Sequence, residues 1–118
     1  MKTLKKKRDF EKIKQQGVKW TAPCFSILAL SDFDQNYTGL IVSKKNLGKL
    51  AVKRNYAKRQ MRELFYDAFK NGLLGKGVSY IAILKPPFAT TDFSKKKEEL
   101  AWSLKHIERL LDEKEKNN

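Results

Sequence analysis

Apolar positions along the chain follow two periods, and the switches between them mark out the elements. In residues 8–16, Phe10 and Ile13 stand three apart among charged and amide groups, which predicts a short helix ended by Gly17. Residues 18–30 are rich in β-formers but interrupted by Pro23, which predicts two short strands or one bulged edge strand. If the pleat carries through Pro23, alternation puts Trp20, Ala22, Ser26 and Leu28 on one face and Phe25, Ile27 and Ala29 on the other. The polar run 31–36 is a turn, and 37–43 a third strand. A long helix is predicted over 52–70, ended by Asn71, Gly72, Gly75 and Gly77. Residues 78–84 are almost continuously apolar, as in an interior strand, and Pro86 and Pro87 forbid its extension. Ser94 caps a last helix in which Leu100, Leu104, Ile107 and Leu111 recur at spacings of four, three and four.

The order is therefore α-β-β-β-α-β-α: a single-domain α+β protein, a two-layer sandwich of helices on a central four-stranded sheet. No repeat or Pro/Gly/Ser linker divides its 118 residues, and 1–7 and 112–118 are polar ends expected to be flexible.

Charge adds a direction to this picture. Lys and Arg number 26 against 13 Asp and Glu, a net charge of +13 that calls for a polyanion. It is unevenly placed. Lys44, Lys45, Lys49, Lys53, Arg54, Lys58, Arg59 and Arg62 form a stretch without a single acid, and residues 2–14 hold seven cations against two acids. From Lys95 onward seven cations face six acids, so the last helix is nearly neutral. A surface charged for solubility alone would mix the signs throughout.

On the helix 52–70, a turn of about 100° per residue gathers Ala57, Met61, Leu64, Phe65, Ala68 and Phe69 into one buried sector. Arg54, Lys58 and Arg62 follow at i, i+4 and i+8 beside it, with Asn55 and Arg59 just beyond. That row can rim a groove where helix meets sheet, and its guanidinium forks suit phosphate.

The run Ser43-Lys44-Lys45, a Gly-containing loop, then Ala51-Val52-Lys53-Arg54-Asn55-Tyr56-Ala57-Lys58-Arg59-Gln60-Met61-Arg62-Glu63 resembles the S-K-K-x-G-x-A-V-x-R-N-R-x-K-R-x-x-R-E signature of bacterial ribonuclease P proteins. Leu4, Lys5, Lys6, Asp9 and Phe10 are similar to that family's opening helix, and 78–85 and 94–111 to its last strand and helix. The resemblance implies a ribosomal protein S5 domain 2-like fold with a left-handed crossover through the Arg-Asn helix. It implies ribonuclease P RNA as partner and precursor transfer RNA, through its single-stranded 5′ leader, as substrate. It makes the chain a subunit of a holoenzyme in which the RNA, with Mg²⁺, does the chemistry and the protein carries no catalytic residue. RNA contact then falls to Lys44, Lys45, Lys53, Arg54, Asn55, Lys58, Arg59 and Arg62. The leader cleft falls to Phe10, Lys14, Trp20, Ser26 and Leu28. Departures mark the chain as its own: Tyr56 stands where the family has its second Arg, Lys14 where it often has a second Phe, and Leu28 in place of a cleft Tyr. The loop before Val52 is about two residues longer. Trp20 either supplies the missing stacking surface or has a core or surface-anchor role.

Other chemistry finds little footing. Cys24 is the sole cysteine, inside an apolar run, and reads as a small buried hydrophobe. His106 is the sole histidine and lies by the last helix's apolar stripe, a packing or surface position. Asp32, Asp34 and Asn36 open like a calcium loop, but Tyr37 and Ser43 occupy its glycine and closing glutamate positions, so a turn is expected and no protein-held metal. A protein-only nuclease lacks its carboxylate cluster. A ribosomal or double-stranded-RNA-binding protein is the nearer alternative. With no apolar run near the ~18 residues of a membrane span, a cytoplasmic protein without membrane or small-molecule partners is expected.

Overall fold

The computed structural model describes residues 1–42 and 51–116. Five strands, β1 (Lys2–Thr3), β2 (Val18–Thr21), β3 (Phe25–Leu30), β4 (Tyr37–Ile41) and β5 (Ser79–Leu84), form one sheet in the order β1-β4-β5-β3-β2. Helix α1 spans Lys7–Gln16, α2 Ala51–Lys70 and α3 Phe93–Lys116, with a 3₁₀ turn at Pro86–Ala89. The four expected strands are there, and β1 adds a fifth, pairing parallel to β4. Two residues show no alternation to read, and these lay in the end expected to be flexible. α3 likewise continues past Asp112, where the sequence suggested fraying, to Lys116.

Strand β5 is central, as its apolar run required, with β3 antiparallel on one side and β4 parallel on the other. The parallel pair forces a crossover, and α2 lies within it. The core divides between the sheet's two faces. Phe25, Ile27, Ala29, Tyr80, Ala82 and Leu84 pack under Ala57, Met61, Leu64 and Phe65 of α2 and Leu100, Leu104 and Ile107 of α3. On the opposite face, Leu28, Leu30 and Ile81 pack with Leu4, Phe10 and Ile13, so α1 covers part of the side that a two-layer sandwich leaves open.

Three local expectations are corrected. Residues 18–30 form a hairpin turning at 22–24, in which Trp20 pairs with Ile27 and Lys19 with Leu28. Directly opposed residues share a face, so Trp20 lies with Ile27 and away from Ser26 and Leu28; the pleat does not run through Pro23. Ser94 is not the cap of α3, because the helix already begins at Phe93, with the Asp92 carbonyl accepting from the Lys96 N–H at 3.0 Å. Phe69, assigned to the buried stripe of α2, is 40% exposed. Gly17 does end α1, but at φ −77° rather than through a left-handed turn. It is needed for close approach: a Cβ there would stand 2.6 Å from the Ala29 carbonyl oxygen.

Candidate nucleic-acid interface

The N-terminal half of α2 presents its polar groups in three directions. Lys58 and Arg62 turn towards the β1–β4 edge, where they line a cavity of about 110 Å³ with Thr3, Leu4, Phe10, Thr38, Gly39 and Leu40. Asn55 and Arg59 are exposed. Lys53 and Tyr56 line a groove on the other flank, against the start of α3. Arg54 is half-buried, with one terminal guanidinium nitrogen enclosed and unpaired. Lys44 and Lys45 lie outside the described residues.

None of Lys53, Arg54, Lys58, Arg59 and Arg62 forms a salt bridge among the described residues, where the one ion pair is Lys97–Asp67 at 3.2 Å. Like charges spaced four apart on a helix repel by a few tenths of a kcal/mol per pair. The fold thus accepts uncompensated cations on several sides of α2, with Lys58 and Arg62 beside a cavity.

Phe10 joins that pair to the sheet. Its ring lies so close over Gly39 that a Cβ there would stand 2.7 Å from the ring carbon Cζ. Any larger residue at position 39 would displace the ring, so the glycine seats it. On the same face Ser26 and Leu28 are buried, the Ser26 hydroxyl donating to Thr21 Oγ1 at 3.5 Å, and Ile83 is half-buried. Lys14, one turn beyond Phe10 on α1, is exposed. Four of the five cleft residues read from the resemblance therefore sit on α1 or on the face it covers. Trp20 does not. Its ring stacks 4.0 Å from that of His106, which in turn lies 5.1 Å from Trp102, on the α3 side. Lys19, the cross-strand partner of Leu28, shares the face of that residue and is exposed. Only the hairpin register places it there.

Beside Phe10, Lys2, Lys5, Lys6, Asp9 and Tyr37 surround an open depression of about 480 Å³ that continues the cationic surface onto the N-terminus. The Tyr37 phenol is pushed above its ordinary range, first by its hydrogen bond to the Asp34 carboxylate and then by desolvation, so it stays a neutral donor. Elsewhere, Cys24 is buried and its Sγ lies 3.1 Å from Glu99 Oε2; burial, the largest cause, raises the thiol and leaves it a poor nucleophile. Among the described residues no three His, Cys, Asp or Glu side chains gather where they could hold a metal ion, and no helix is long and apolar enough to cross a membrane. The groups on this surface are mainly ammonium, guanidinium, amide and aromatic, with the Asp9 carboxylate among them, and they can neutralise phosphate and stack bases.

An α+β domain with a cationic helix flank leading into an aromatic-seated cleft is a polyanion-binding protein, and its chemistry is that of an RNA-binding one. The family model for ribonuclease P matches residues 1–108. The ribonuclease P protein component of Nitratiruptor sp. is 35% identical over 107 residues, covering 91% of this chain and 93% of the relative; that of Listeria monocytogenes is 33% identical over 117 residues, covering 98% and 94%. Among solved structures, the RNase P protein from Thermotoga maritima superposes with a TM-score of 0.76 at 30% identity, covering 89% of this chain and 96% of that one. The Staphylococcus aureus RNase P protein gives 0.73 at 28%, covering 87% and 92%. The chain belongs to the ribonuclease P protein family. Its role is that of the protein subunit of ribonuclease P, a ribonucleoprotein of transfer-RNA processing.

Proposed function

We propose that the N-terminal half of α2 rests on ribonuclease P RNA, while the sheet face beside α1 receives the single-stranded 5′ leader of precursor transfer RNA. Supporting this reading is one observation above the others: Lys53, Arg54, Lys58, Arg59 and Arg62 of α2 have no carboxylate partner among the described residues, although the chain holds 13 acids. Phosphate oxygens would supply the missing counter-charge. The cavity shared by Phe10, Lys58 and Arg62 supports a path by which a strand leaving the RNA surface enters the cleft. In this reading Phe10 offers a stacking face, Ser26 and Leu28 the floor, and Lys14 and Lys19 the flanking charge. Lys44 and Lys45 extend the RNA contact. Cleavage falls to the RNA partner, which brings the Mg²⁺, and the protein positions leader and RNA together in the cytoplasm.

The experiment adds purified chain to ribonuclease P RNA at low Mg²⁺ and follows cleavage of a precursor with a 5′ leader. Cleavage should rise with added protein and stay absent without the RNA; cleavage by the protein alone would overturn the reading. Binding should weaken with salt by about 0.7 log units per log unit for each phosphate neutralised. Arg59→Ala should lower affinity and flatten that slope by roughly one contact. An unchanged slope would place Arg59 outside the RNA contact.

A further inference from the structure

The second flank of α2 carries a feature that a phosphate track does not need. A groove of about 490 Å³ runs between α2 and residues 88–96, with Lys53, Tyr56, Gln60, Phe88, Phe93 and Lys96 among its lining. Tyr56 and Phe93 are 60% and 42% exposed, large rings held at the rim where a soluble surface would gain from polar side chains. Lys96 is 3% exposed, an ammonium group almost removed from water. Its Nζ donates to Gln60 Oε1 at 2.6 Å and sits 4.1 Å from the centroid of the Phe88 ring. It forms no salt bridge among the described residues, and an ammonium has three donors. Gln60 is fixed from its other end, its Nε2 donating to the Tyr56 hydroxyl at 3.1 Å. The groove therefore combines two π faces, a cation with spare donor capacity and an amide clasped at both ends.

We propose that this groove takes a single unpaired nucleotide of the RNA partner, its base against Tyr56 and Phe93 and its phosphate at Lys53. The proposal rests on the RNA-binding reading above and specifies a contact within it. Stacking suits any base because each has a π face, and the Lys96 ammonium is a donor for ring nitrogens and carbonyls. Asp92, also in the lining, can accept from an exocyclic amine. Lys53 belongs to the same helical turn as Arg54 but lines the groove on the other flank, so a strand held on α2 has to cross the helix surface there to turn one nucleotide into the groove. Tyr56, which stands where the related signature has arginine, then exchanges a phosphate grip for a base platform.

The full-length chain is bound to ribonuclease P RNA, irradiated, and the crosslinked peptides identified by mass spectrometry; affinities of Tyr56→Ala, Phe93→Ala, Tyr56→Phe and Arg59→Ala are measured across a salt series. Crosslinks at Tyr56 or Phe93 are expected. Tyr56→Ala should weaken binding by roughly tenfold, the scale of one base–aromatic stack, without changing the salt slope, because no phosphate contact is lost. Tyr56→Phe keeps the ring and should keep the affinity. Both rings are exposed, and thermal melts check that the variants fold. Full affinity in both alanine variants, with Arg59→Ala still weakened, would empty the groove and leave the RNA-binding reading standing. A loss in the alanine variants that also flattens the salt slope would overturn the stacking assignment. Failure of the unaltered chain to bind the RNA would overturn both readings, whereas capture of a protein in the groove instead of RNA would overturn this one.

Discussion

Phe10 and Gly39 form one unit although 28 residues separate them, and the pair shows how far single residues could be read. The sequence points to Phe10 as an aromatic on a basic helix. It gives no reason for Gly39, a glycine within a strand of β-formers. The ring over it supplies the reason. Gly39→Ala should move Phe10 or open β4, destabilising the fold by about 1–3 kcal/mol, the usual range for overpacking. A shifted urea midpoint together with weaker binding of a leader oligonucleotide would show this; an unchanged midpoint would mean that the ring is not seated as described. Trp20 teaches the opposite lesson. Its alternation was read correctly within β2, and yet it faces α3, because the hairpin pairs even-numbered residues of β2 with odd-numbered residues of β3. One residue more or less in that turn would reverse the assignment.

At the scale of elements, helix α2 was the most legible part of the chain. Its buried stripe from Ala57 to Ala68 packs on the sheet as the 100° rotation requires, and its cations fall outside that stripe. Phe69 departs from the stripe at the last turn of α2, one residue before the helix ends at Lys70. Met61 is fully buried between helix and sheet, so Met61→Ala should cost about 2–5 kcal/mol, with the cavity term added to the lost burial. Chemical denaturation would measure it, and a loss below 1 kcal/mol would show that this interface collapses around the gap. β1 was illegible for a different reason. It exists by hydrogen bonding to β4, including the Leu4 N–H to the Thr38 carbonyl at 2.8 Å, and a two-residue segment carries no period.

For the whole molecule, the net charge of +13 creates a long-range field that should steer RNA towards the cationic flank. Stopped-flow association with labelled ribonuclease P RNA should slow by roughly tenfold or more as salt is raised from low to high, since screening shortens the reach of that field. A salt-independent on-rate would mean that the charge acts after contact. By itself the sequence determined the kinds and order of most elements, the central position of β5 and the concentration of charge on one helix. These are local properties, written in the period of apolar residues and the spacing of cations. The tertiary structure alone decided which face each strand turned inward, that α1 would cover the side opposite α2 and α3, and that Phe10 would meet Lys58 and Arg62 at one edge. Those outcomes depend on register and on contacts between distant residues, and a pattern read along the chain contains neither.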